Sequence, residues 1–178
     1  EIDLTTPGSK TQAFLQGYHR LKKVSEKYNI RVYAGAELRF DESDNDYLLY
    51  GFHDALLADP DRVMREGLAA FAPQYRADGA LLVQAHPFRK KCPPAPAEYL
   101  DGIEVLNLNP RHDSHNDLAL AYAKEHHLIM TAGSDCHRPG DQGTTGILSD
   151  TLPEDSFGLA DLLRSGNYTI IHPECTED

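Results

Sequence analysis

The chain has 178 residues, with 17 basic and 28 acidic side chains and a formal net charge of −11. That length suits one domain with a sizeable core, and a hydrophobic fraction of 40% is too high for a disordered chain. The acidic balance argues against unaided binding of long nucleic acid, which rewards a basic surface, but leaves room for a small phosphorylated ligand held by a metal or a local arginine.

In chain order, Phe14, Leu15, Tyr18, Leu21 and Val24 recur near helical spacing, which predicts a helix over Lys10–Tyr28 with Ser9 as its cap and Asn29 at its end. Ile30–Glu37 and Tyr47–Phe52 read as strands, separated by the polar DESDND run as a turn or loop. Pro60 opens a helix through Phe71, capped by Asp59. Ala80–Ala85 is a short apolar run of the buried-strand type and delivers His86 at its end, followed by a proline-rich loop over Lys90–Pro96.

Gly102–Leu108 reads as a further strand, Asp117–His126 as a helix, and Leu128–Ala132 as a strand running into GSDCH. A short extended piece at Thr144–Leu148, a helix at Phe157–Leu163 and a last strand at Tyr168–Ile171 complete the pattern. Repeated β then α with short apolar strands predicts a parallel α/β architecture, barrel or open sheet. No glycine-rich phosphate or dinucleotide loop follows a strand. No run approaches the about 18 apolar residues of a membrane span. The three cysteines, Cys92, Cys136 and Cys175, are irregularly spaced and form no disulfide framework, which points to the cytoplasm.

Parallel α/β folds gather ligands at the carboxyl ends of their strands. Glu37, His86, Asp135 and His137 all fall at such ends. Asp135 and His137 are two apart, so an extended backbone would aim both at a common ion, with Cys136 turned away. Imidazole and carboxylate suit zinc, manganese or iron. His53 follows another strand, and ligand and loop residue stand as equal readings for it. Arg89, in a basic cluster with Lys90 and Lys91, offers a bidentate contact to phosphate or a solvated loop rim. His112 and His115 flank a polar loop, where packing or solvent outweighs a pocket role.

Taken together, YAGAEL, LLVQAHPFR, GIEVLN and TAGSDCH resemble the later motifs of the polymerase and histidinol phosphatase (PHP) superfamily, over roughly Val32 to Gly143. The resemblance implies a distorted TIM-like (β/α)7 barrel in a single domain over residues 1–178. It implies two or three divalent metals (zinc, manganese or iron) and hydrolysis of phosphate esters by metal-activated water. By motif position it implies Glu37, His86, Asp135 and His137 as metal ligands, with His53 a looser match. It implies Arg89 as a contact to the substrate phosphate and His137 as an aid to the leaving group. Glu104 matches a characteristic strand glutamate, either ligand or support for one.

The family's early His-x-His and Asp-His pairs have no counterpart before Glu37, so the resemblance predicts an N-terminally incomplete domain, a fragment in preference to a shortened relative. The expected substrate is a small phosphorylated metabolite or nucleotide. The second reading is a non-catalytic binding or regulatory domain with an incomplete metal site.

Overall fold

The computed structural model describes residues 9–172, so Cys175 lies outside the described residues. Five strands, β1 (Gly35–Arg39), β2 (Asp46–Tyr50), β3 (Leu81–Gln84), β4 (Gly102–Asn107) and β5 (Ile129–Gly133), form one sheet in the order β1-β2-β3-β4-β5. Strands β6 (Gly146–Leu148) and β7 (Thr169–Ile171) form a separate antiparallel pair. The helices are α1 (Ser9–Ser25), α2 (Pro60–Glu66), α3 (Leu68–Asp78), α4 (Asn116–Glu125) and α5 (Ser156–Ser165).

The sheet is mixed. β3, β4 and β5 are parallel, whereas β2 pairs antiparallel with both β1 and β3. This corrects the expected TIM-like (β/α)7 barrel: among the described residues the five strands make an open sheet and no closed barrel. The physical cause lies in the connections. A parallel neighbour needs a crossover of about a dozen residues or more, and the short polar link Phe40–Asn45 permits only a reversal.

Period-two alternation sorts the side chains onto two faces. On one, Leu38, Phe40, Tyr47, Leu49 and Leu82 pack against Val63 of α2 and Phe71 and Tyr75 of α3. Phe40 stands 5.3 Å from Tyr47 and 5.6 Å from Phe71, ring centre to ring centre, in tilted contacts favourable for aromatic pairs. On the other, Leu48, Tyr50, Leu81 and Val83 pack against Ala160 and Leu163 of α5. Covered on both sides, β3 is buried throughout, an apolar Leu81–Val83 run closed by Gln84. α4 lays Ala123 against Ile103 and Val105 of β4.

The helix expected over Pro60–Phe71 is two helices. Gly67 adopts φ 81, and a side chain there would collide with Glu42, whose Oε1 accepts from the Leu68 amide that opens α3. Asp59 caps α2 as expected, accepting from the Arg62 amide, and Asn29 ends the first helical segment with φ 53. α1 itself departs from its pattern. Of the five apolar residues at helical spacing only Leu15 is buried, while Phe14, Leu21 and Val24 stay exposed. Leu15 and a Thr11 hydroxyl bond to the Leu57 carbonyl (2.8 Å) tie α1 to the core, which turns the apolar stripe away from it.

Candidate metal centre

Because β2 runs backwards, its amino end lies at the same sheet edge as the carboxyl ends of β1, β3, β4 and β5. Arg39 is in register with Asp46, and Glu37 with Leu48. Directly opposed residues share a face, so Glu37, Arg39 and Asp46 all stand on the α5 side of the sheet, above Leu48 and Tyr50. The Asp46 carbonyl accepts from the Ala85 amide (2.9 Å), which carries the end of β3 alongside.

His86 follows. Strand alternation would present Ala85 on that face, but His86 takes a left-handed conformation, φ 31, and the turn brings its imidazole to the carboxylates. His86 Nε2 lies 3.8 Å from Glu37 Oε1 and 3.6 Å from Asp46 Oδ2. One donor atom from each of Glu37, Asp46 and His86 falls within 4.8 Å of the others, so the three form a group able to hold a metal ion. Donors on a tetrahedral ion at about 2.1 Å sit roughly 3.4 Å apart, so the two measured separations fit a shared cation with little movement. The buried His86 Nδ1 has no hydrogen-bond partner among the described residues, whereas ligand histidines ordinarily donate that proton.

The cleft around this group has a volume of about 470 Å³ and is lined by Arg39, Arg89, Cys92, His112, Asp135 and His137 besides the triad. Both guanidiniums are engaged. Arg39 makes a fork with Asp46, Nε to Oδ1 at 2.7 Å and Nη2 to Oδ2 at 2.6 Å. Arg89 Nη2 donates to Asp135 Oδ2 (2.8 Å), Asn107 Oδ1 (2.9 Å) and Ser114 Oγ (3.1 Å). Arg89 thus holds protein groups where the sequence expected a phosphate. Burial drives the Asp135 carboxyl upward, but Arg89, His86 and His137 together outweigh it and hold it below the ordinary carboxylate value.

Asp135 and His137 do meet, though not by strand alternation. β5 ends at Gly133, and Asp135 is left-handed, φ 48. His137 Nδ1 lies 2.9 Å from the Asp135 carbonyl and 3.1 Å from Asp135 Oδ1, on an exposed ring. Asp141 shapes this loop, accepting at Oδ2 from the amides of His137 (3.0 Å) and Arg138 (2.8 Å) while Arg111 forks onto both its oxygens. The Arg111 guanidinium, with those two amides, holds the Asp141 carboxyl well below the usual range.

Under the cleft lies Glu104, buried in β4 at a break in the β4–β5 register. Its Oε2 accepts from the His86 amide (2.8 Å) and from Asn107 Nδ2 (2.9 Å). Burial pushes its carboxyl up to about 7 against the pull of those donors. Glu104 therefore acts beneath the site, through the His86 backbone. Cys92 also borders the cleft, and burial first, then Asp46, pushes its thiol up, away from thiolate chemistry.

His53 is not brought to the cleft. It follows the carboxyl end of β2, which the reversal places at the opposite edge. There its Nδ1 lies 3.2 Å from Asp78 Oδ1, its amide donates to Asp78 Oδ2 (2.9 Å), and its ring packs on Phe157 at 4.8 Å. Asp46 was hidden for the same reason, since a search of strand carboxyl ends passes over the first residue of a strand. His112, expected in packing or solvent, lines the cleft.

Residues 113–165 match the model of the PHP-associated family (PHP_C). The C-terminal part of the chain is related to the PHP superfamily. The matched PHP-related segment contains α4, β5, Asp135, His137 and α5, and stops short of Glu37, Asp46 and His86. No curated protein matches the chain. Among solved structures, PsfC from Pseudomonas syringae PB-5123 is similar in fold, with a TM-score of 0.60 at 16% identity over 89% of this chain and 74% of that one. Among the described residues no helix is long and apolar enough to cross a membrane.

Proposed function

We propose that the cleft binds a divalent metal and hydrolyses phosphate esters of small molecules. The observation that carries this reading is the convergence of Glu37, Asp46 and His86 on one point from three neighbouring strands. Three protein donors leave coordination positions open, the mark of a catalytic and not a structural site. One imidazole with two carboxylates suits manganese or iron better than zinc. A divalent ion held there lowers the pKa of a nearby water and offsets charge on phosphoryl oxygens.

The chain's own residues supply the rest. Asp135 holds His137 through Nδ1, which leaves Nε2 of an exposed ring to give a proton to the departing alkoxide. Arg89 is a positioning residue that fixes Asp135. A volume of about 470 Å³ suits a metabolite or nucleotide, and the net charge of −11 disfavours a long nucleic acid.

A specific observation favours the second reading, a non-catalytic binding domain: both arginines of the cleft are spent on protein carboxylates. Titration of manganese, iron(II) and zinc into the protein, followed by a panel of phosphate monoesters and diesters, separates the two. Stoichiometric metal with hydrolysis supports the enzyme. Metal without hydrolysis of any ester moves the assignment to the binding domain. A chain that takes up no metal overturns both the site and its chemistry.

A further inference from the structure

We infer that Arg39 is a built-in competitor for the metal, a tethered cation that occupies Asp46 until a divalent ion displaces it. The inference rests on the metal reading of the Glu37, Asp46 and His86 group. Asp46 Oδ2, the oxygen 3.6 Å from His86 Nε2, is also the oxygen that accepts from Arg39 Nη2 at 2.6 Å. The second carboxylate oxygen is taken by Arg39 Nε at 2.7 Å, so the guanidinium engages both donor atoms that Asp46 can offer an ion.

The two partners differ sharply in environment. Asp46 has a side chain 12% exposed, whereas that of Arg39 is 59% exposed. The carboxylate is fixed by its strand and its neighbours, while the guanidinium sits on a flexible stem with solvent around it and can leave. While it stays on Asp46, its positive charge opposes an incoming dication by simple Coulomb repulsion. A guanidinium that has left Asp46 carries a fork of unpaired donors into a cleft where a phosphate is the natural acceptor. Metal binding and anion binding are thereby coupled through one side chain, and the coupling is reciprocal.

The test is calorimetric titration of Mn²⁺ into the wild-type protein, Arg39→Gln and Arg39→Lys, then of inorganic phosphate with and without Mn²⁺. Circular dichroism verifies that each variant is folded, and Arg39→Lys keeps the charge if loss of the fork disturbs Asp46. The expected result is Mn²⁺ binding at least tenfold tighter in Arg39→Gln and near the wild-type value in Arg39→Lys. The gain in phosphate affinity on adding Mn²⁺ is expected to shrink in Arg39→Gln. Equal or weaker Mn²⁺ binding in Arg39→Gln, while the wild-type protein binds, overturns the competitor role and makes Arg39 a support for the ligand. Binding to none of the three proteins overturns the metal reading itself.

Discussion

Asp135 Oδ2 accepts a 2.8 Å bond from Arg89 Nη2, and the two side chains are 9% and 12% exposed. A pair this far from water is held by mutual need, since either charge alone would be stranded. Arg89→Ala is expected to cost about 3–5 kcal/mol in urea unfolding. The double variant Arg89→Ala/Asp135→Asn is expected to recover part of that loss, because it removes the orphaned charge. A single-variant loss under about 1 kcal/mol would mean that Asp135 is solvated and the pair incidental.

Glu37 is a contrasting case, with a side chain 51% exposed and its Oε1 3.8 Å from His86 Nε2. Glu37→Gln is expected to weaken Mn²⁺ binding at least tenfold and leave the melting temperature of the metal-free protein within about 1 °C of the wild type, as for surface substitutions generally. Unchanged affinity would remove Glu37 from the ligand set.

Glu104 makes stability depend on pH in the metal-free protein. Its folded value, about 7, lies above its ordinary value of 4.5, so the native state holds the proton more tightly than the unfolded chain. The sign follows: this contribution is fullest below pH 4.5, declines as pH rises toward 7, and levels off above that. Glu104→Gln keeps an acceptor for the His86 amide and is expected to flatten this part of the curve. Urea melts at pH 5 and pH 8 in the presence of chelator measure it, and equal slopes in both proteins would disprove the linkage.

Gly133 faces Glu104 so closely that a β-carbon there would lie 2.5 Å from Glu104 Oε1. Gly133→Ala forces the buried carboxylate off its bonds to the His86 amide and Asn107. The expected loss is roughly 1–3 kcal/mol, the usual range for overpacking. An alanine variant with wild-type stability would show that Glu104 can move freely.

Asp141→Ala removes the acceptor for the His137 and Arg138 amides. Hydrogen exchange at those two amides is expected to quicken at least tenfold, with Leu82 and Ile103 in the sheet unchanged. Acidification should weaken the same contacts in the native protein, seen as a loss of protection at those amides once the slower intrinsic exchange at low pH is divided out. The depressed carboxyl contributes above its ordinary value, and that contribution fades as pH falls through the folded value.

Much of this site was legible from residues alone, and the failures share one cause. Glu37, His86, Asp135, His137 and Arg89 all line the same cleft, because Glu37 lies within β1 and the others follow β3 or β5, strands that run in the common direction. The barrel, His53 and the neglect of Asp46 all trace to β2, whose direction no hydrophobic pattern records. Alternation marks which residues share a face and says nothing of which way a strand points. Two further details depend on backbone that periodicity does not encode, the left-handed turns at His86 and Asp135. Non-glycine residues held there cost about 1–3 kcal/mol each, and such outliers cluster where a side chain must be aimed.

The reversal of β2 has a mechanical consequence. Glu37, Asp46 and His86 come from β1, β2 and the end of β3, and β1 is an edge strand of the sheet among the described residues. An ion held by all three would clasp the sheet's free margin to its interior, so that filling the site and sealing the border become one event. A chelator would then do more than empty the cleft. It would unfasten the rim, exposing Gly35–Arg39 to proteases and to strand-seeking neighbours well before the central strands feel any change.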